Sequence, residues 1–536
     1  MATTHPAAPA KGCDGVRDSR SRTGVGNDPE EGLRSRPRWR VTAPDLVLGG
    51  ILCFLCCVAW RLPWVGDLGQ HVAVIDRLRH DLADPGSPLV DRPGSGSPYY
   101  TPYTVAAALL ARATGAASLS VMSVCGMVNS LALLAGLRIF VRTLTDRRWA
   151  PALTALCMLF LWGTRLFLWS GHLSLSALCL SLSYPSLFAF ALGLYLWSRL
   201  LRAGREDTAA AHWAVTGLLT GCLVLIHPVM AMGALTGCLA MFAGTVRRIG
   251  PRTLARCSTG VATAALPVVV WPYGNILSLP DSSALDAFHV SAYELIPQHY
   301  GLALLGLPAL LLRLRRSRRD PLALLCLGTV TLAACGWFTG HYTWGRVLPH
   351  LLLGLQCALA VELCAPWPRG VPARVGRGLL VAALAVALPY GARVQAGALL
   401  YAVPAHRLPA AFTARVYHLP SWPGFDWAAR HFRYGDVVLT NDYEALRMLP
   451  GYGVYTVMPA WPQPEIPRPE SMRRTADVAR ALDVRVDGRK RRKSVCSWGA
   501  DWLLLTGEQS IPPGQGFVQA ATSPDGVRLV RVTLRC

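Results

Sequence analysis

The chain is poor in charge: Asp, Glu, Lys and Arg make up 16% of its 536 residues, where a soluble globular protein carries roughly 25%. That shortfall excludes an ordinary cytosolic enzyme. Lysine is nearly missing too, so the 53 basic residues, set against 31 acidic ones, are almost all arginine and leave a formal net charge of +22. There is no Walker loop and no HExxH, which argues against an ATP-driven pump and a membrane metalloprotease. Paired CxxC elements with metal-ligand spacing are missing as well. Most of the 16 cysteines lie inside apolar runs, where a thiol behaves as a small hydrophobe. No small-residue cleavage site follows the first apolar stretch, so it reads as an uncleaved span and not as a signal peptide.

What is abundant is apolar sequence, 52% of the chain. It is gathered into nearly charge-free runs of about twenty residues, the length a helix needs to cross a bilayer core. These runs fall at 45–60, 117–141, 150–169, 174–198, 209–226, 229–246, 256–276, 300–314, 321–338, 347–365 and 378–402. The expected fold is a polytopic α-helical membrane protein of about eleven transmembrane helices with a C-terminal extracytoplasmic α/β domain. Residues 1–44, rich in Gly, Pro, Ser and Arg, read as a disordered cytoplasmic tail. Arginines cluster after alternate spans, at 142–148, 199–205, 247–256, 313–319 and 369–377, and the positive-inside bias makes those loops cytoplasmic. An odd number of spans then puts residues 404–536 outside, beyond a transmembrane domain of residues 45–403. The excess of arginine therefore reads as membrane topology, with no nucleic acid implied.

The first outer loop, 61–116, carries two helical stretches. In the first, Leu68, Val72, Ile75 and Leu78 follow helical spacing while Asp67 and His71 sit one turn apart, so the helix can lie on the membrane surface with a carboxylate beside an imidazole. The second, 103–113, is apolar but too short to span. Between them, Pro98-Tyr99-Tyr100-Thr101-Pro102-Tyr103 is an aromatic loop suited to lining a sugar site. In the C-terminal region, strands are expected at 437–440, 454–457 and 503–505, a helix near 470–484, and a cap at Asn441 with Glu444 three positions on. The run Arg489-Lys490-Arg491-Arg492-Lys493 reads as a solvated loop or a contact with anionic headgroups. Cys496 and Cys536 are the cysteines of this region, and an oxidising compartment would permit them to pair.

This layout resembles the GT-C superfamily of membrane glycosyltransferases: one span, an outer loop with an acidic residue and two surface helices, many spans, then an outer α/β domain. The segment from Asp436-Val437-Val438-Leu439-Thr440-Asn441-Asp442 through Tyr443-Glu444-Ala445-Leu446-Arg447-Met448-Leu449-Pro450-Gly451 also looks like the strand-turn-helix that opens such domains in actinobacterial members. The resemblance implies a sugar on a polyprenyl phosphate as donor. It also implies an acidic residue of the first loop as general base, and Asp67 is the matching position. A carboxylate beside the membrane can accept a proton while an acceptor hydroxyl attacks the anomeric carbon; as a purely local reading, Asp67 is a helix N-cap after Gly66.

Other polar residues converge on the same face. His71 is a candidate orienting or substrate-binding partner, His172 lies in a short outer turn, and His227 precedes Pro228 at another. Glu294 is the second candidate carboxylate. Arg346 stands at the outer boundary against the charge rule, where a lipid-linked phosphate suits its planar fork; the alternative is a snorkelling contact with an ordinary headgroup. The expected function is sugar transfer to an envelope glycan, lipid or protein, with membrane lipids as neighbours. The alternatives are a transporter or flippase for a lipid-linked substrate, and a non-catalytic scaffold of GT-C layout. No cofactor motif is present, and a divalent metal stays open without a ligand motif to hold it.

Overall fold

The computed structural model describes residues 41–203, 208–245, 251–274, 283–512 and 514–534. Up to residue 394 the described chain is helical: α1 Ala43–Arg61, α2 Leu68–His80, α3 Pro102–Thr114, α4 Ser118–Leu144, α5 Ala150–Phe160, α6 Leu175–Ser181, α7 Pro185–Ala203 and α8 Ala210–Ile226. It continues through α9 Pro228–Thr245, α10 Pro251–Val270, α11 Ser283–His289, α12 Ile296–Tyr300, α13 Leu307–Arg316, α14 Pro321–Thr339, α15 Leu348–Cys364 and α16 Val371–Val394. Among the described residues six stretches are long and apolar enough to cross a membrane: α1, α4, α9, α14, α16 and Tyr342–Cys364, which ends in α15. Two bent pairs raise the number to eight if each is one span: α6 with α7 at 115°, and Asp286–Tyr293 with Ile296–Arg316 at 72°. The tail expected at 1–44 lies outside the described residues up to 40.

The expected straight spans over 150–169, 174–198 and 378–402 are interrupted, the last where α16 ends at Val394. The helix expected over 150–169 stops at Phe160, and the one over 174–198 breaks at residues 182–184. Pro185 opens the second half, since it has no N–H to continue a ladder. At membrane depth such breaks survive only where protein satisfies the freed backbone groups, and buried amides do so here. Asn129 on α4 donates to the carbonyls of Leu182 at 2.8 Å and Tyr184 at 3.2 Å. Gln356 on α15 donates to the carbonyl of Leu161 at 2.8 Å, just beyond α5. Gln395 accepts from the Ser176 N–H at 3.0 Å where α6 begins. The irregular chain after α5 is freed to line the site described below.

The loop helices form as their sequence spacing predicts. Thr101 and Thr104 cap each other reciprocally at the start of α3, and Gly115 ends it in the left-handed region at φ 69°. Tyr100 is 1% exposed and donates to the Gly86 carbonyl at 2.9 Å, which ties the loop between α2 and α3 to itself.

The C-terminal region holds a five-stranded sheet in the order β2-β1-β3-β5-β4, with β1 Val437–Leu439, β2 Tyr455–Thr456, β3 Trp502–Leu505, β4 Phe517–Thr522 and β5 Arg528–Val532. β1 runs parallel to β2 and β3, and β5 is antiparallel to β3 and β4. β1 and β3 are buried along their whole length. The helix expected near 470–484 is Arg468–Leu482. Two details differ from expectation. The cap of the helix Tyr443–Met448 is Asp442, which accepts from the Ala445 N–H at 2.8 Å, while Asn441 accepts from Gln509. The basic run is a helix, Gly488–Cys496, because Asp487 caps it and Arg491 is buried against the carbonyls of Ala481 and Ser510. Cys536, the expected partner of Cys496, lies outside the described residues.

Candidate functional site

Gly66 turns the chain into α2 at φ +62°, a conformation that suits glycine, and a Cβ there would lie 3.1 Å from the Tyr184 hydroxyl. The next residue, Asp67, occupies the N-cap position, yet its side chain makes no cap hydrogen bond. Its carboxylate turns away and accepts from Arg447 Nη2 at 2.5 Å. Arg447 belongs to the helix Tyr443–Met448, so the C-terminal region itself supplies this partner.

Three aromatic rings enclose the Arg447 guanidinium, with centroids at 4.9 Å for Trp422, 4.7 Å for Trp461 and 5.1 Å for Tyr443. Such rings attract a cation through their quadrupole. The Tyr443 hydroxyl also accepts from Arg447 Nη1 at 2.7 Å. Burial pulls the Arg447 pKa down, but Asp67 and Tyr443 outweigh it and hold it above its ordinary value. The two elements can approach because of glycine: a Cβ on Gly69 would sit 2.5 Å from the Arg447 carbonyl oxygen, and one on Gly451 would sit 2.9 Å from Gly69 Cα. Further along α2, Arg77 lies over Tyr434 and Tyr455 at 4.6 and 3.6 Å and donates to the Val454 carbonyl at 3.1 Å. Trp64 stacks on Tyr452 at 5.5 Å.

His71 packs against the ring of Tyr184 at 4.7 Å, and its Nδ1 is buried without a hydrogen-bond partner. Burial pushes its imidazole down to about 4, with Asp67 opposing and Arg447 assisting. His71 is therefore neutral at pH 7. His227 Nδ1 accepts from the Met230 N–H at 3.2 Å, so in the neutral ring Nε2 carries the proton. Burial pushes His227 down to about 3.

Arg346 is 5% exposed and lies 5.8 Å from the Trp169 ring. Its Nη1 has no hydrogen-bond partner, and among the described residues no carboxylate stands within ion-pair distance of it. His172 is buried at 1% exposure, between Trp162 and Phe167 at 5.3 and 5.0 Å, with neither ring nitrogen bonded. Gly171 precedes it at φ +80°, where a Cβ would lie 3.3 Å from Arg346 Nη2. Electrostatic contacts join the group: Arg346 with Asp67, His172 with Arg346, and His227 with both Arg346 and His71. Asp67, His71, His172, His227 and Arg346 thus gather in one region, although distant in sequence. Glu294 does not join them: it is exposed and sits beside His299.

Sequence reasoning missed the contribution of the C-terminal region. Besides Arg447, the segment Trp461–Glu465 approaches the aromatic loop, where Ser97 Oγ donates to Glu465 Oε1 at 3.3 Å and Tyr99 lies beside Trp461 and Gln463. Burial raises Glu465 to about 7. The proline spacing Pro462-Gln463-Pro464-Glu465 was the one available signal of a fixed polar segment. Among the described residues no group of three or more His, Cys, Asp or Glu is arranged to hold a metal ion.

No protein-family profile matches the chain, and no curated protein matches it. Solved structures do. The mycobacterial arabinofuranosyltransferase AftD matches over 91% of this chain at 16% identity and TM-score 0.51, and this chain spans 40% of AftD. A second AftD structure matches over 91% at 15% identity and TM-score 0.52, with 41% of AftD covered. The Archaeoglobus fulgidus oligosaccharyltransferase matches over 85% of this chain and 67% of its own at 13% identity and TM-score 0.45. At these identities the likeness is one of architecture, carried by AftD. The chain has a GT-C-like fold.

Proposed function

We propose that this protein is a glycosyltransferase that moves a sugar from a polyprenyl-phosphate donor to a cell-envelope acceptor at the outer face of the membrane. One observation carries the reading: Arg346, buried and without an ion-pair partner among the described residues, keeps a free Nη1 beside neutral His172 and within electrostatic reach of Asp67. A buried cation needs a counter-charge, and a phosphate ester brings one with the two oxygens that a guanidinium fork matches. Asp67 is the base. It takes the proton of the acceptor hydroxyl as that oxygen bonds to the anomeric carbon, while the bond from that carbon to the phosphate oxygen breaks. The leaving polyprenyl phosphate then carries the charge that Arg346 faces.

The topology belongs to the same proposal. The six long apolar stretches, the two bent pairs and the three shorter apolar helices, Ala150–Phe160, Ala210–Ile226 and Leu254–Val270, correspond one to one with the eleven apolar runs of the sequence. With the N-terminus cytoplasmic, α2, His172, His227, Arg346 and the C-terminal region all lie outside.

The test is a transfer assay on purified protein with a set of polyprenyl-phosphate sugars and an envelope extract as acceptor. Incorporation from at least one donor, abolished in Asp67→Asn, is expected. Absence of transfer from every donor, with intact donor binding, would make the chain a non-catalytic scaffold.

A further inference from the structure

The seam between the first loop and the C-terminal region contains polar atoms that the fold leaves unmet. Gln463 is 3% exposed, and its Oε1 is buried without a partner, as is Oε2 of Glu465. The other halves of both side chains are engaged: Gln463 Nε2 donates to the Trp461 carbonyl at 3.3 Å, and Glu465 Oε1 accepts from Ser97. Leaving a buried polar atom unpaired costs its full desolvation, and native proteins rarely keep two side by side without a use for them.

Gln463 Oε1 is a hydrogen-bond acceptor, and Glu465 Oε2 is one in the carboxylate form. Two partly exposed rings, Tyr99 and Trp461, border them. Trp461 also covers the Arg447 guanidinium at 4.7 Å, and Tyr99 is in electrostatic contact with both Asp67 and Glu465. The acceptor atoms therefore lie along a path that ends at Asp67.

We infer that this seam is the acceptor subsite and that it takes an uncharged, polyhydroxylated glycan, whose hydroxyls donate to Gln463 Oε1 and Glu465 Oε2 while a sugar face lies on Tyr99 or Trp461. The inference rests on the sugar-transfer reading and adds the class of acceptor. An anionic polymer would bring its charge against the Asp67 carboxylate once Arg447 is displaced, and a purely apolar lipid would leave both acceptor atoms unmet. Aromatic faces flanked by acceptors match the alternating C–H and O–H surfaces of a sugar ring. Because both oxygens are covered, the glycan enters as Ser97–Tyr99 parts from Trp461–Glu465, and its reacting hydroxyl replaces Arg447 at the Asp67 carboxylate.

Saturation-transfer NMR on the purified full chain tests this without requiring transfer. The probes are maltohexaose and a linear pentofuranose hexamer as neutral glycans, hexagalacturonate as an acidic one, and a lysine-containing hexapeptide. A neutral glycan is expected to bind best, and Gln463→Ala or Glu465→Ala to weaken it roughly tenfold. If either alanine variant unfolds, Glu465→Gln, which keeps the side-chain volume, carries the comparison and should weaken binding by about threefold. Tighter binding of hexagalacturonate or of the peptide, parental binding by the variants, or no binding of either neutral glycan overturns the subsite. Neutral-glycan binding lost in the variants, with no transfer from any donor, sinks the sugar-transfer reading and leaves the subsite standing.

Discussion

Asp67 and Arg447 stand 380 positions apart in the sequence and meet at 2.5 Å. The pairing takes the carboxylate away from the cap role that its position at the start of α2 offers, and it makes the C-terminal region part of the site. A cap and a base respond differently to one substitution. Asp67→Asn keeps an oxygen suited to capping but cannot take up a proton at neutral pH. We expect near-parental folding with transfer reduced by roughly 100-fold or more. A parental rate in Asp67→Asn would remove Asp67 as the base.

Arg447 is held by rings as well as by charge. Arg447→Lys keeps the cation but loses the planar fork and its stacking, so the rate should fall by roughly tenfold while Arg447→Leu falls further. Equal rates for the two variants would mean that charge at this position does nothing.

Arg346→Lys separates a phosphate clamp from a headgroup contact. A clamp predicts a KM for the lipid-linked donor raised by about tenfold with the acceptor KM unmoved. Unchanged donor KM would assign Arg346 to ordinary lipid.

Acid should loosen the loop helix. His71 has a folded pKa of about 4 against an ordinary 6.5, so the unfolded state binds more protons between those values. Its contribution is full above pH 6.5 and is lost as pH falls towards 4. The melting temperature in detergent should drop across that window, and His71→Gln should flatten the drop. An identical pH profile in the variant would contradict the assignment.

Reporter fusions check the membrane orientation. Positions 145 and 315 should read as cytoplasmic and position 450 as external. An inward signal at 450 would separate the C-terminal region from any outer-face chemistry.

The residues legible in the sequence each broke a local pattern. Asp67 follows a glycine at a helix start, His172 and His227 sit in turns between apolar runs, and Arg346 is a cation in a loop where the charge rule expects none. Arg447 broke nothing: it is one of 53 basic residues, and only the fold brings it to Asp67. Glu465 stayed hidden for the same reason. The three strands anticipated were those with continuous apolar runs, whereas β4 is largely exposed and gives no such signal. The breaks after α5 and between α6 and α7 were invisible because amides from other helices permit them, and hydropathy along one segment does not record them.

Those amides set how the protein should respond to ionic strength. Asn129, Gln356 and Gln395 hold the broken helices with neutral groups buried at 0%, 1% and 2% exposure, which salt does not screen. Asp67, with 28% of its side chain exposed, is open to solvent ions. Raising the salt concentration therefore acts on the contact between loop and C-terminal region and leaves the helical frame as it was.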